Sequence, residues 1–285
     1  MNFAAHQSAF PVLRSLEVEN LDSDDGFEHL TLTLDSSPQF VKKKDWPIDR
    51  ILPHGLIRIK DRDLELDGGF LLERNEAVRG AVRFRLEKAG NILAELPKPV
   101  ALLAYNEWGG AGYMPELLAA SCMPNDPAVD TILRAASKTL HRAGKRDAID
   151  GYQSRSRERV WELASAIYSA IANLNLSYAN PPASFERDGE KVRVLCRILD
   201  QRLATCLDTA LLFATALEQA GLNPILALPK GHALVGVWLQ PESLSTIVTD
   251  EAETLRKRVD LKELVLIETT CATSRPPPSF SDALK

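Results

Sequence analysis

The first hundred residues alternate between apolar and polar positions. Residues 16–19, 30–34, 57–60 and 82–87 all follow this pattern, and turn-forming Gly, Pro, Asn and Ser residues separate them. Successive strand side chains point to opposite faces, so a period of two predicts short strands with one buried face. We therefore predict an immunoglobulin-like β-sandwich over residues 1–105, which would act as a binding or spacer module.

Beyond Asn106 the apolar residues recur at three- and four-residue steps, which is the spacing of one helical face. This predicts a helix that starts after Asp126 and ends near Gly144, a second from about Ser156 to Asn173, and a third that ends at Gly221. The change of period predicts a second domain over residues 106–285 and an α+β fold class. The glycine-rich residues 109–112 near its start lack a phosphate-loop ending and predict a packed turn or an active-site wall.

The third helix is predicted to begin at Cys206. Thr205 precedes it and Asp208 follows three residues after Thr205, as in a capping box. A thiol in the first turn of a helix lies at the positive end of the helix dipole, which should lower its pKa and favour the nucleophilic thiolate. The alternative is a structural role, because cysteine is often simply buried.

Two short apolar strands are predicted after this helix. His232 lies at the start of the first, and Glu268 is the single acid of the second, at residues 264–270. A histidine could accept the proton of the thiol, and a neighbouring carboxylate could orient the imidazole. The sequence thus supplies the residue types of a nucleophile, a base and an orienting acid.

The order of these motifs resembles the transglutaminase-like (papain-related) cysteine protease superfamily. That family has a Gly-x-Cys-x-(Asp/Glu)-x-Ala helix motif, a His-Ala strand and an acid strand ending in Asp-x-Thr. In this chain Ala204 replaces the glycine and Glu268 replaces the aspartate. The matching residues are Cys206, Asp208, Ala210, His232, Ala233 and Thr270.

The resemblance implies a domain with Cys206 on a helix N-terminus and with His232 and Glu268 on antiparallel strands. It implies cysteine-dependent acyl transfer through a thioester, with peptide or isopeptide hydrolysis, cross-linking and deamidation all open. The oxyanion of the intermediate would accept hydrogen bonds from the backbone amide of Cys206 and from a side-chain donor, either Gln153 or Gln201. The alternative is a non-catalytic scaffold of this fold that binds a protein partner.

The layout of a β-rich module followed by such a domain also resembles the front of large bacterial helicase-type proteins, some of them linked to anti-phage defence. This implies a helicase-type partner or following domain, in addition to a protein or peptide substrate. The chain itself contains no Walker A motif.

Composition narrows the function classes further. The net charge of −5 gives no sign of nucleic-acid or membrane-surface binding. Four widely spaced cysteines without a C-x-x-C pair predict neither a zinc site nor a disulfide framework, so we expect no metal and no cofactor. The absence of a leader pattern and of a long apolar run predicts a cytoplasmic protein without a membrane span.

Two further segments carry predictions. Residues 240–262 separate the histidine and acid strands and have acidic residues before basic ones, which predicts an inserted helix that could act as a lid. The proline-rich residues 276–280 near the end of the chain predict a linker.

Overall fold

The computed structural model describes residues 1–285, which divide into two compact units, Met1–Glu107 and Trp108–Lys285. The predicted boundary near Asn106 lies next to this division. Antiparallel sheets and helices are both present, so the chain belongs to the α+β class. None of its helices is long and apolar enough to span a bilayer.

The first unit is built mainly from strands. Its elements are α1 (Phe3–Gln7), β1 (Glu17–Glu19), β2 (Phe27–Ser37), β3 (Lys44–Ile51), β4 (Leu56–Arg58), α2 (Gly68–Leu72), β5 (Val78–Lys88) and β6 (Asn91–Leu102). A two-residue strand, β7 (Glu107–Trp108), falls at the division between the units.

The core of the first unit lies on one face of an antiparallel four-stranded sheet with the order β3-β2-β5-β6. Leu30, Leu32 and Leu34 of β2 point into this core, as the alternation predicts. Strands β1 and β4 form a separate two-stranded ribbon. Antiparallel β-structure is therefore confirmed, whereas the pairing within this unit does not by itself establish the predicted immunoglobulin-like sandwich, a fold that has seven or more strands in two sheets.

Two strands of this sheet contain proline, which is uncommon inside strands. Strand β6 continues through Pro97 and Pro99 to Leu102. Strand β3 contains Pro47 and was not predicted. Both strands lie at the edges of the sheet, where a missing N–H can face outward without breaking a ladder hydrogen bond.

The second unit is mixed. Its helices are α3 (Pro127–Arg142), α4 (Arg157–Ala172), α5 (Phe185–Asp188), α6 (Leu195–Gln201), α7 (Cys206–Gln219) and α8 (Ala252–Asp260). Its strands are β8 (Ser177–Tyr178), β9 (Glu190–Lys191), β10 (Leu203–Ala204), β11 (Pro224–Ala227), β12 (Leu234–Trp238) and β13 (Leu264–Ile267). Short 3-10 helices cover Pro115–Ser121, Thr269–Thr273 and Ser281–Ala283.

Helix α7 is the centre of this second unit. Every residue from Cys206 to Leu217 is buried, so the helix is covered on all sides. Such burial is typical of a helix that is apolar around its whole circumference. The predicted N-caps of α3 and α4 are confirmed, because the side chains of Asp126 and Ser156 accept hydrogen bonds from Ala128 N and Arg159 N.

Strands β11, β12 and β13 form an antiparallel sheet in that order. Val235 of β12 lies opposite Ile267 of β13, which brings the start of β12 and the end of β13 to the same edge. His232 lies two residues before β12, and Glu268 directly follows β13. The antiparallel register therefore places these two residues side by side, although neither lies within a strand as the sequence predicts.

The predicted linker at residues 276–280 is instead part of the folded unit. Phe280 is 5% exposed, and its ring centroid lies 5.2 Å from that of Trp161 and 5.6 Å from that of Tyr168. Leu284 then forms a β-bridge with Ile267. The proline-rich composition predicts a linker, but composition does not show that the Phe280 ring at the end of this stretch packs against distant aromatic residues.

The glycine-rich tract forms the packed turn that was one of its two predicted roles. Gly110 has a φ of +83°, and a Cβ on it would lie 2.0 Å from the carbonyl oxygen of Arg187. Gly189 has a φ of +88°, and a Cβ there would lie 2.0 Å from the oxygen of Trp108. The two backbone segments approach so closely that both positions require glycine.

The aromatic anchor near the C-terminus gives a test of the fold. Replacing Phe280 with Ala should lower the free energy of unfolding by about 3 to 5 kcal/mol, because a fully packed ring is lost and a cavity remains. Urea unfolding would measure the change. Leu261→Ala serves as the control, since Leu261 is 52% exposed and its loss should change stability by no more than about 0.5 kcal/mol. Equal stability of the two variants would show that residues 276–285 are a linker after all.

Candidate active site

The first turn of α7 carries the capping box that the sequence predicts. The Thr205 hydroxyl accepts a hydrogen bond from Asp208 N at 3.2 Å, and Thr205 N donates to Asp208 Oδ2 at 2.9 Å. Each bond satisfies an amide that the start of a helix leaves unpaired. The helix consequently begins at Cys206, as predicted.

Asp208 also fixes the segment that precedes α6. Its carboxylate accepts hydrogen bonds from Arg193 N at 2.8 Å and from Arg193 Nη1 at 2.6 Å. Asp208 is fully buried, and a buried carboxylate is tolerated only where its oxygens have such partners. The acid at this motif position therefore serves to hold the backbone around Cys206 in place.

The thiol of Cys206 is surrounded by hydrogen-bond donors but is inaccessible. Cys206 is 0% exposed, and donors beside its thiol that act to lower its pKa are the Tyr178 hydroxyl and the backbone N–H groups of Ala233 and Leu207. Burial raises the pKa of this thiol, and the nearby Glu190 carboxylate raises it further, so the donors do not offset these effects. The predicted lowering of the Cys206 pKa is therefore wrong, because desolvation outweighs the helix N-terminus.

His232 and Glu268 are in direct contact. Nε2 of His232 lies 2.8 Å from Oε1 and 2.9 Å from Oε2 of Glu268. An ionised carboxylate only accepts hydrogen bonds, so Nε2 must carry a hydrogen, and in the neutral imidazole the lone pair is then on Nδ1. Glutamate in place of the family's aspartate therefore still reaches the imidazole.

Glu268 is ionised and held by several further groups. Burial alone would raise its pKa, but hydrogen bonds from Thr270 and His232 outweigh burial and bring the pKa below its ordinary value. The Thr270 hydroxyl donates to Oε1 at 2.6 Å. Lys285 Nζ lies 3.7 Å from Oε2, and Glu268 N donates to Ala283 O at 2.8 Å.

Of the sequence-predicted residues, the structure joins His232 to Glu268 and places the Cys206 thiol on the amide of Ala233, the neighbour of His232. Gln153 and Gln201 are exposed, and neither side chain bonds to the thiol. The side-chain hydroxyl beside the thiol is instead that of Tyr178. It reaches the thiol because β8 pairs in parallel with β10, with Tyr178 opposite Ala204, two residues before Cys206.

Glu190 is a second site residue that the sequence did not reveal. It is 6% exposed, and its carboxylate accepts a hydrogen bond from the Thr205 hydroxyl at 3.1 Å. Burial is the largest cause that raises the pKa of Glu190 to about 7, and the charge of Asp208 adds to it. Its surroundings in the sequence, Arg187-Asp188-Gly189, are those of an exposed loop, so no local pattern marks it.

No three His, Cys, Asp or Glu side chains converge as metal ligands in the structure. No protein-family model, curated protein or solved structure matches this chain. The interpretation of the site therefore depends on its motifs and on its geometry.

The network around Asp208 predicts a strong effect on stability. In Asp208→Asn one accepting oxygen becomes an NH₂ donor that faces the donors of Arg193 and Thr205, and the ion pair is lost. We expect the free energy of unfolding to fall by about 2 kcal/mol or more. Thermal or urea unfolding would measure it. Asp200→Asn is the matched control, because Asp200 is exposed and close in the chain. Similar stability of both variants would contradict the structural role of Asp208.

Proposed function

We propose that this chain is a cysteine-dependent acyl-transfer enzyme that hydrolyses peptide or isopeptide bonds, with Cys206, His232 and Glu268 as its catalytic residues. One observation carries the proposal. The His232–Glu268 pair lies at the sheet edge, and the backbone N–H of the next residue, Ala233, lies beside the Cys206 thiol at the start of a buried helix. The proposed nucleophile is therefore beside the residue that follows the proposed base, and the base is bonded to the proposed orienting acid.

The reaction begins with the transfer of the thiol proton to Nδ1 of a neutral His232 imidazole, whose Nε2–H is donated to Glu268. Sγ attacks the carbonyl carbon of the substrate and forms a tetrahedral oxyanion. His232 then donates its proton to the leaving amine as the C–N bond breaks, which leaves a thioester on Cys206. Water attacks the thioester while His232 takes its proton, and the acid product leaves.

The oxyanion needs two donors. The backbone N–H of Cys206 is one, because the first amides of a helix have no partner within the helix. The Tyr178 hydroxyl is the other, since it already lies on the thiol where the oxyanion would form. Burial raises the pKa of Tyr178 to about 12, so this hydroxyl keeps its hydrogen across the neutral range.

The raised pKa of Cys206 favours a particular order of events. A thiol in this environment stays protonated at rest, so His232 removes its proton as the attack occurs rather than beforehand. In this respect the site would work as a serine–histidine pair does. Glu268 then stabilises the imidazolium that forms.

Complete burial of the thiol favours a second candidate function. A nucleophile without solvent exposure cannot meet a substrate until the residues that cover it move. A fold that keeps the triad but never opens would be the non-catalytic scaffold that binds a protein partner. The helicase-type partner belongs to this proposal as well, on the strength of the resemblance alone, and the cytoplasmic location stays a prediction from the sequence pattern.

The formation of a thioester distinguishes the two functions. On exposure to p-nitrophenyl acetate, Cys206 should become acetylated faster than Cys196, an exposed thiol in the same chain, although Cys206 is buried. Peptide mass spectrometry would identify the modified residue. Cys206→Ser should abolish this acetylation and the cleavage of quenched fluorescent peptides, whereas Cys196→Ser should leave both unchanged. Acetylation of Cys196 with an inert Cys206 would favour the scaffold.

Tyr178 gives the second test. Tyr178→Phe keeps the ring but removes the donor, so the acylation rate of Cys206 should fall roughly 10²- to 10³-fold, as for the loss of one oxyanion donor. Stability should change little, because the tyrosine is 41% exposed. Gln201→Ala and Gln153→Ala are the controls and should acylate at the wild-type rate. A normal rate in Tyr178→Phe with a loss in either glutamine variant would reassign the donor.

A further inference from the structure

Glu190 is a buried acid that the proposed mechanism does not use. It lies on β9, directly after Gly189, whose close approach to the backbone of Trp108 fixes where the strand begins. Its carboxylate accepts the hydrogen bond of Thr205 Oγ1 at 3.1 Å, and Thr205 is the cap residue immediately before the nucleophile. The carboxylate is therefore built into the support of the nucleophile rather than placed at the surface.

Four ionisable groups face Glu190. Asp208 is negative and opposes its ionisation, whereas Arg193 is positive and favours it. The Glu190 charge in turn disfavours ionisation of the Cys206 thiol and of the Tyr178 hydroxyl. The Arg193 guanidinium is also bonded to Asp208 at 2.6 Å, so its charge is shared between the two carboxylates. A buried acid in these surroundings changes between its neutral and its ionised form close to neutral pH.

We propose that Glu190 is a positioning residue that holds a proton beside the nucleophile, so that the neutral carboxyl permits negative charge on Cys206 and the ionised carboxylate suppresses it. The inference rests on the proposed function for its catalytic meaning. Glu190 would make the reactivity of the thiol depend on the protonation of a residue outside the triad. Negative charge on sulfur and on the oxyanion develops in a buried space, and a second fixed negative charge there would raise the barrier to both.

The direction of the pH dependence follows from this arrangement. Below about pH 6 Glu190 is neutral and has no effect on the thiol. Above its pKa of about 7 it is ionised, and the thiol becomes harder to deprotonate than it would otherwise be. The wild-type thiol should therefore gain reactivity with rising pH less steeply than an isolated thiol does.

Glu190→Gln tests this directly, because the glutamine oxygen can still accept the Thr205 hydrogen bond but cannot ionise. The readout is the rate at which iodoacetamide alkylates Cys206, followed by peptide mass spectrometry from about pH 6 to about pH 9. At the acidic end the variant and the wild type should react equally. At the alkaline end the variant should react roughly 3- to 10-fold faster, the effect of one nearby charge.

Two controls separate electrostatics from structure. Glu253→Gln changes the net charge by the same amount on the exposed helix α8 and should match the wild type at every pH. The access of the reagent to the buried thiol scales the rates of each protein equally at every pH. It therefore does not affect how the ratio of variant to wild type changes with pH. A ratio that does not change with pH, whatever its size, would overturn the proposal, because a purely structural role predicts that result.

A second measurement covers the case in which Cys206 is inert to the reagent. The thiolate absorbs in the ultraviolet, so a titration of each protein against its Cys206→Ser derivative reports ionisation without any need for access. The midpoint for Glu190→Gln should lie below that of the wild type, and equal midpoints would overturn the proposal. Neither measurement needs turnover. A pH-dependent ratio without acetylation of Cys206 would therefore uphold the role of Glu190 while refuting the proposed function.

Discussion

The site depends first on one fully buried carboxylate. Asp208 accepts hydrogen bonds from Thr205 N, Arg193 N and the Arg193 guanidinium, and in an apolar interior it cannot lose them cheaply. This requirement draws the segment before α6 and the turn before α7 together. It sets where α7 begins, and so it fixes the direction of the Cys206 side chain. Thr205 extends the network to Glu190, which links the first turn of α7 to the glycine-supported strand β9.

The C-terminal segment of the chain holds Glu268 in place. Strand β13 pairs with β12 along one edge, while the backbone of Glu268 bonds to Ala283 and Leu284 bridges to Ile267. Phe280 anchors this returning segment between Trp161 and Tyr168. The position of the carboxylate bonded to His232 therefore depends on residues that the sequence predicts to be a linker.

Burial gives the site an uneven electrostatic character. Desolvation raises the pKa of Cys206, Tyr178 and Glu190, so the thiol and the phenol hydroxyl are uncharged at rest. At Glu268, in contrast, hydrogen bonds overcome burial and keep the carboxylate charged. In the proposed reaction, charge appears on sulfur and oxygen only during the attack, and the Glu268 carboxylate lies behind the imidazole that becomes positive.

The features that the sequence determined are local. The capping box at Thr205 and Asp208, the caps of α3 and α4, and the change from strand to helix spacing near Asn106 are each encoded within a few neighbouring residues, and the structure contains them. The pairing of His232 with Glu268 could be predicted in kind, because antiparallel strands bring their opposite ends together. The burial of Cys206, the contact of Tyr178 with its thiol and the placement of Glu190 and Phe280 were decided only by the tertiary structure. Their partners are distant in the chain, and hydrophobic periodicity records which face of an element is buried but not what it meets there.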